Sequence, residues 1–254
     1  MRIDLAFDVK DGNELRLPKI NMHLLQAMMY KLMPEDLAGF LHDRGYEFGK
    51  RKFKLFTYSW LKGKGRPRFD DRFIYFIPPL HLTVATPISE TLEGIANGSL
   101  SKRSIRLGNT DLECRSVTIV ANEACGDSVT VEALSPVTCF STLYKQDGSP
   151  FTVYHDPREA EFRQQISDNL KKKFSLIHQK EAVPEGQVSI TPVGKPRLQV
   201  ARFKPDDPRP IKGWWGKFRL EGPQPLLQTA LDAGLGAKSS AGFGCVGIEQ
   251  RERR

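Results

Sequence analysis

Gly234-Leu235-Gly236-Ala237-Lys238-Ser239-Ser240-Ala241-Gly242-Phe243-Gly244 is the stretch on which the reading of this chain turns. Two Gly-apolar-Gly pairs bracket a small, polar and basic segment. Glycine reaches positive φ and lets a second backbone or a phosphate come close to the main chain. Lys238, Ser239 and Ser240 stand where an ammonium, hydroxyls and amides could meet a phosphodiester. The competing reading is a plain glycine-rich turn. Two familiar phosphate loops do not fit. A Walker loop needs Gly-Lys-Ser/Thr, and Ala237 separates Gly236 from Lys238. Gly242-Phe243-Gly244-Cys245-Val246-Gly247 spells the dinucleotide fingerprint, but that motif opens a helix and leads to an acidic ribose ligand about 20 residues on. Only seven residues follow Gly247, so the match is read as accidental. A small-molecule enzyme that grips a nucleotide with this loop is therefore not expected.

Charge points the same way as the loop. The 254 residues carry a net +8, and the segment from Lys50 to Arg72 holds nearly all of it. Nine basic residues there (Lys50, Arg51, Lys52, Lys54, Lys62, Lys64, Arg66, Arg68, Arg72) face only Asp70 and Asp71. Phe53, Phe56, Tyr58, Trp60, Phe69 and Phe73 interleave with them. Basic groups attract phosphates and aromatic faces stack on unpaired bases. A solvated charged strand pair would look similar, but the concentration in one segment favours a polyanion-binding face. No apolar run approaches a membrane span or a signal peptide. The four cysteines form no C-x-x-C pair and the five histidines are scattered, so no metal or cofactor is expected. A reduced, cytoplasmic protein is the simplest reading.

The hydrophobic pattern gives an element order. Arg2–Val9 alternates as a half-buried strand. Leu25, Met28, Met29 and Leu32 have helical spacing, and Pro34 opens a second short helix that Gly45 stops. Phe53–Trp60 and Arg72–Ile77 read as strands, Ser89–Ala96 as a helix, and Ile105–Leu107 and Leu112–Val120 as strands around a Gly108-Asn109 turn. The second half repeats the theme. Val129–Leu134 is a strand, a loop-rich stretch follows, and a helix runs from Pro157 to Phe174. Gln187–Thr191, Leu198–Phe203 and Trp215–Leu220 are strands, Pro225–Leu231 a helix and Cys245–Glu249 a strand. The expected fold is α+β: two tandem ferredoxin-like (RRM-like) domains, 1–122 and 123–254. Each is a βαββαβ antiparallel sheet with helices on one face.

With these residues in hand, the chain resembles the CRISPR-associated endoribonucleases of the RAMP superfamily, which process precursor CRISPR RNA at its repeats. The family pattern G-h-G-x5-G-h-G is met by Gly234, Gly236, Gly242 and Gly244 with Leu235 and Phe243, and Lys238 matches a basic residue inside the loop. Tyr30 at a helix end, the Phe40-Leu41-His42 step, Lys54-Leu-Phe-Thr-Tyr-Ser59 and Ser135-Pro136-Val137 are similar as well. The resemblance implies metal-independent cleavage by a ribose 2′-OH, giving a 2′,3′-cyclic phosphate and a 5′-OH. The alternative is a non-catalytic RNA-binding subunit of a CRISPR ribonucleoprotein.

The resemblance assigns His42 to acid/base work, a role suited to imidazole, whose unperturbed pKa near 6.5 makes both forms accessible. Lys54 would neutralise the phosphorane, with Lys52 as competitor because residues two apart on a strand share a face. Tyr30 would orient ribose or phosphate or assist as a weak base. His23 is the rival histidine. RNA is expected on Gly234, Gly236, Lys238, Ser239, Gly242 and Gly244, and on Lys50, Arg51, Lys52, Arg66 and Arg68. Precursor and mature CRISPR RNA are the expected partners. Effector-complex subunits and a homodimer stay open, since some family members depend on dimerisation.

Overall fold

The computed structural model describes residues 1–179 and 181–249. Strand β1 (Arg2–Val9) alternates as its sequence requires and buries Ile3, Leu5, Phe7 and Val9. The chain continues through β2 (Leu15–Pro18), α1 (Met22–Leu32), α2 (Glu35–Asp43), β3 (Tyr46–Phe48), β4 (Arg51–Phe53) and β5 (Thr57–Tyr58). Next come β6 (Arg68–Phe69), β7 (Phe73–Phe76), β8 (Leu80–Ala85), α3 (Ser89–Ser101), β9 (Ile105–Leu107) and β10 (Thr110–Ile119). The main sheet is antiparallel, in the order β5-β8-β1-β10-β9. Without the edge strand β9, this is the strand order of a βαββαβ unit. Leu25, Met28, Met29 and Leu32 of α1, with Leu92 and Ile95 of α3, bury against its apolar face.

The second half is built alike. It contains β11 (Ser128–Ala133), β12 (Phe140–Tyr144), β13 (Pro150–Tyr154), α4 (Ala160–Ile177), β14 (Ser189–Ala201), β15 (Ile211–Glu221), α5 (Gln224–Ala233) and β16 (Val246–Ile248). Its sheet runs β14-β15-β11-β16, again antiparallel. Phe162, Ile166, Leu170 and Phe174 of α4 and Leu226, Leu227, Ala230 and Leu231 of α5 fill its core. The expected α+β pair of ferredoxin-like units is what the chain forms.

Several elements differ from the sequence reading. The strand beside β1 is β8, not Arg72–Ile77. Leu80, Leu82 and Val84 alternate into the core, whereas β7 joins a separate three-stranded sheet with β2 and β6. Phe53–Trp60 is not one strand, because Leu55 turns to φ 53° and divides β4 from β5. Gln187–Thr191 and Leu198–Phe203 merge into β14, which accommodates a bulge between Val193 and Arg197. The loop-rich stretch before α4 contains the hairpin β12–β13. Finally, α4 starts at Ala160, not Pro157, and runs to Ile177.

The two sheets meet through backbone as well as side chains. The Trp60 amide donates to the Leu134 carbonyl at 3.0 Å. Thr57 Oγ1 donates to the Phe243 carbonyl at 3.0 Å and Trp60 Nε1 to the Gly242 carbonyl at 2.9 Å. Gln26 Nε2 donates to the Ser240 carbonyl at 2.8 Å. The glycine-rich loop thus lies at the junction.

Candidate functional site

Helix α2 ends at Asp43 because Gly45 adopts φ 68° and returns its amide to the Phe40 carbonyl at 2.8 Å, a left-handed stop that glycine makes without steric cost. His42 sits in this last turn, where the negative end of the helix dipole favours a cation. Its Nδ1 lies 2.8 Å from Asp43 Oδ1, and both side chains are about three-quarters exposed. The hydrogen bond from His42 holds the Asp43 carboxyl below its ordinary range. A carboxylate can only accept, so Nδ1 carries the proton and Nε2 is left for a ligand.

Two lysines return to the same helix end from the hairpin β3–β4 and its exit. Lys54 Nζ donates to the His42 carbonyl at 2.9 Å, and Lys52 Nζ to the Asp43 carbonyl at 3.1 Å. Burial, then repulsion from Lys52, lowers the Lys54 ammonium. Tyr30, at the end of α1, meets the His42 ring edge-on with centroids 5.9 Å apart and rests on Phe56 at 5.8 Å. Burial pushes its phenol up to about 12, so at neutral pH it donates a hydrogen bond rather than accepting a proton. The structure therefore brings His42, Tyr30, Lys54 and Lys52 to one point. His23 is elsewhere, with Nδ1 3.1 Å from the Phe203 carbonyl. Among the described residues, no group of three or more His, Cys, Asp and Glu side chains could hold a metal ion.

The glycine-rich loop is arranged differently from its sequence reading. Gly234, Gly236, Gly242 and Gly244 are all buried at positive φ. A Cβ on Gly244 would stand 2.0 Å from the Leu235 carbonyl oxygen, and one on Gly236 2.3 Å from that of Thr138. On Gly242 it would meet the Tyr58 ring at 2.9 Å, and on Gly234 the Gly244 carbonyl at 2.8 Å. The close approach that the glycines permit is to the protein's own backbone and to β5. Between them, Lys238 turns through φ 59° and places its ammonium 5.4 Å from the centre of the Phe140 ring, and Ser239 opens a 3-10 turn. Lys238 is exposed and Ser239 half-exposed.

The basic segment also divides. Lys50, Arg51 and Lys52 lie on the hairpin β3–β4, from which Lys52 reaches the Asp43 carbonyl at the end of α2. Arg66 and Arg68 lie with the three-stranded sheet, where Arg68 pairs with Glu14 at 3.2 Å and covers the Tyr75 ring at 3.8 Å. One residue that supports the loop was not singled out from the sequence. Lys173, buried in α4, donates to the carbonyls of Ala233 (2.9 Å), Gly234 (2.7 Å) and Gly236 (3.4 Å). It caps the end of α5 from a neighbouring helix. Burial pulls its ammonium down to about 7.

The family profile described as "CRISPR associated protein Cas6, C-terminal" matches residues 121–248, half of the chain. The chain belongs to the Cas6 family. The CRISPR-associated endoribonuclease Cas6 of Pyrococcus furiosus is 26% identical over 246 residues, 92% of this chain and 84% of that protein. The CRISPR-associated endoribonuclease Cas6 1 of Methanocaldococcus jannaschii is 22% identical over 265 residues, 100% of this chain and 95% of that one. A solved structure described as a RAMP protein binding different RNA substrates superposes with a TM-score of 0.81 at 15% identity, covering 98% of this chain and all of that one. That likeness is one of fold. The glycine-rich loop belongs to the half that matches the Cas6 profile, and the cluster around His42 to the other.

Proposed function

We propose that this Cas6 protein, an endoribonuclease of CRISPR RNA processing, cleaves repeat RNA without a metal ion to give mature CRISPR RNA. The ribose 2′-oxygen bonds to the adjacent phosphorus and the bond to the 5′-oxygen breaks. The products are a 2′,3′-cyclic phosphate and a 5′-OH. The 2′-OH loses a proton and the leaving 5′-oxygen gains one, and His42 Nε2 is the group positioned to move it. Lys54 balances the charge that builds on the phosphorane oxygens, where a fixed donor in a partly desolvated site is most effective. Tyr30 donates a hydrogen bond from its phenolic O–H to a ribose or phosphate oxygen. The convergence of His42, Tyr30 and Lys54 on the C-terminal end of α2 is the observation that carries this assignment.

RNA reaches this point over the cations of the hairpin β3–β4 and over Lys238 and Ser239. The four glycines support that path by shaping the loop. We also take the domain boundary to lie at 122/123. Strand β10 ends at Ile119, β11 begins at Ser128, and the two large buried clusters do not share a residue. Absence of a helix long and apolar enough to cross a membrane, among the described residues, and four free cysteines support action in the cytoplasm. Incubation with CRISPR repeat RNA in EDTA tests the function. Cleavage is expected, whereas binding without cleavage would return the protein to the non-catalytic RNA-binding subunits.

A further inference from the structure

Helix α5 ends at Ala233 with no basic residue in its last turn, so the negative end of its dipole has no cation of its own. Lys173 supplies one from α4. Its side chain is 1% exposed. Its ammonium donates to the carbonyls of Ala233, Gly234 and Gly236, one acceptor for each N–H. All three partners belong to the main chain. Position 173 lies on the buried stripe of Phe162, Ile166, Leu170 and Phe174. An apolar side chain there would pack without the cost of taking a charge out of water. What the lysine adds is a grip on a particular piece of backbone.

That backbone leads straight into the outer part of the glycine-rich loop. Beyond Gly236, the Ala237 amide donates to the Thr138 carbonyl at 2.9 Å, and Lys238 then turns through φ 59°. A left-handed backbone is unfavourable for a residue with a Cβ and persists only where its surroundings hold it. Among the described residues, Leu55 is the only other non-glycine at positive φ. Lys173 holds the carbonyls before this turn and Thr138 the amide within it. On the far side the Gly242 amide donates to the Ser239 carbonyl at 3.1 Å. Clamped from both ends, the exposed Lys238 has its ammonium set 5.4 Å from the centre of the Phe140 ring.

We propose that Lys173 is a positioning residue for RNA binding: from inside the second domain it fixes the backbone of Gly234 to Gly236 and thereby aims Lys238 at a phosphate. Lys173 is buried and cannot meet RNA itself. Any effect it has on affinity passes through the loop. The inference rests on the RNA-processing reading above, in which Lys238 is a phosphate contact.

The test is the salt dependence of binding at constant pH. It uses the whole protein and labelled repeat RNA made non-cleavable by a 2′-deoxy nucleotide 5′ of the scissile phosphate. Loss of one phosphate contact on a single strand flattens the plot of log affinity against log salt by roughly 0.7. Lys238→Ala should show that flattening directly. Lys173→Met should weaken binding and flatten the plot by the same amount, although the lysine it removes is buried and releases no counterion. The two substitutions together should flatten it no further than Lys238→Ala alone, because the first acts through the second. Lys173→Gln, whose amide keeps two N–H donors, should fall between Lys173→Met and the wild type. A folded Lys173→Met protein with wild-type affinity and slope would overturn the proposal, as would additive losses in the double variant. Failure of both Lys173 variants to fold would make the residue a structural one and overturn it equally. A wild-type slope in Lys238→Ala would instead refute the RNA contact on which the inference rests, whatever Lys173 does.

Discussion

At the scale of single residues, chemistry and packing must be told apart. Replacing His42 by Ala should lower the single-turnover cleavage rate by about 10²–10⁴-fold, since a positioned acid or base contributes that much. RNA affinity should change far less, because the role proposed for this exposed imidazole is proton transfer and not packing. Wild-type rates in that variant would move the role elsewhere. Gly244→Ala is the packing counterpart. Its φ of 74° and the Leu235 carbonyl 2.0 Å from the added Cβ leave no room, and the left-handed backbone alone costs about 1–3 kcal/mol. A drop in the denaturation midpoint should reveal it, and an unchanged midpoint would mean the loop shifts freely. The family resemblance pointed to His42, Tyr30 and Lys54, and the fold brings the three together at the end of α2. The sequence did not reveal the glycines' true neighbours. A Gly-apolar-Gly pair looks the same whether a phosphate or the chain's own carbonyl approaches it.

At the scale of elements, Lys173 shows what a charge run conceals. Lys171–Lys173 reads as a basic helix end, but α4 continues to Ile177, and Lys173 falls on the stripe of Phe162, Ile166, Leu170 and Phe174. Its ammonium, ordinarily near 10.5, is pulled down to about 7 by burial. Between these two values the unfolded chain holds a proton that the folded chain releases, so this group makes stability rise with pH across the window. The stability of the wild type relative to Lys173→Met should therefore climb between pH 7 and 10, by at most about 1.4 kcal/mol per unit. A flat difference would mean that the three carbonyls keep the ammonium charged. Arg72–Ile77 reads as a strand, but the alternation of Leu80, Leu82 and Val84 just after it is what marks the core strand β8.

At the scale of the whole molecule, the tandem fold was legible because two βαββαβ orders fit one chain length, and the strand orders of both sheets bear this out. What joins the halves was not legible, since bonds such as Trp60 to Gly242 link residues 182 positions apart. The excess charge is shared between two sheets, so neutralising Lys50 and Arg51 together should flatten the salt dependence of RNA affinity by roughly 1.4, at about 0.7 per phosphate contact on a single strand. Arg68, already paired with Glu14, should contribute less. In the proposed reaction the RNA supplies its own nucleophile. This is tested most directly by placing a single 2′-deoxy nucleotide immediately 5′ of the scissile phosphate and following cleavage in EDTA. Unmodified repeat RNA should be cut to a 2′,3′-cyclic phosphate, and the deoxy substrate should bind but remain intact. Cleavage of the deoxy substrate, or activity that returns only when a divalent ion is added, would contradict the account.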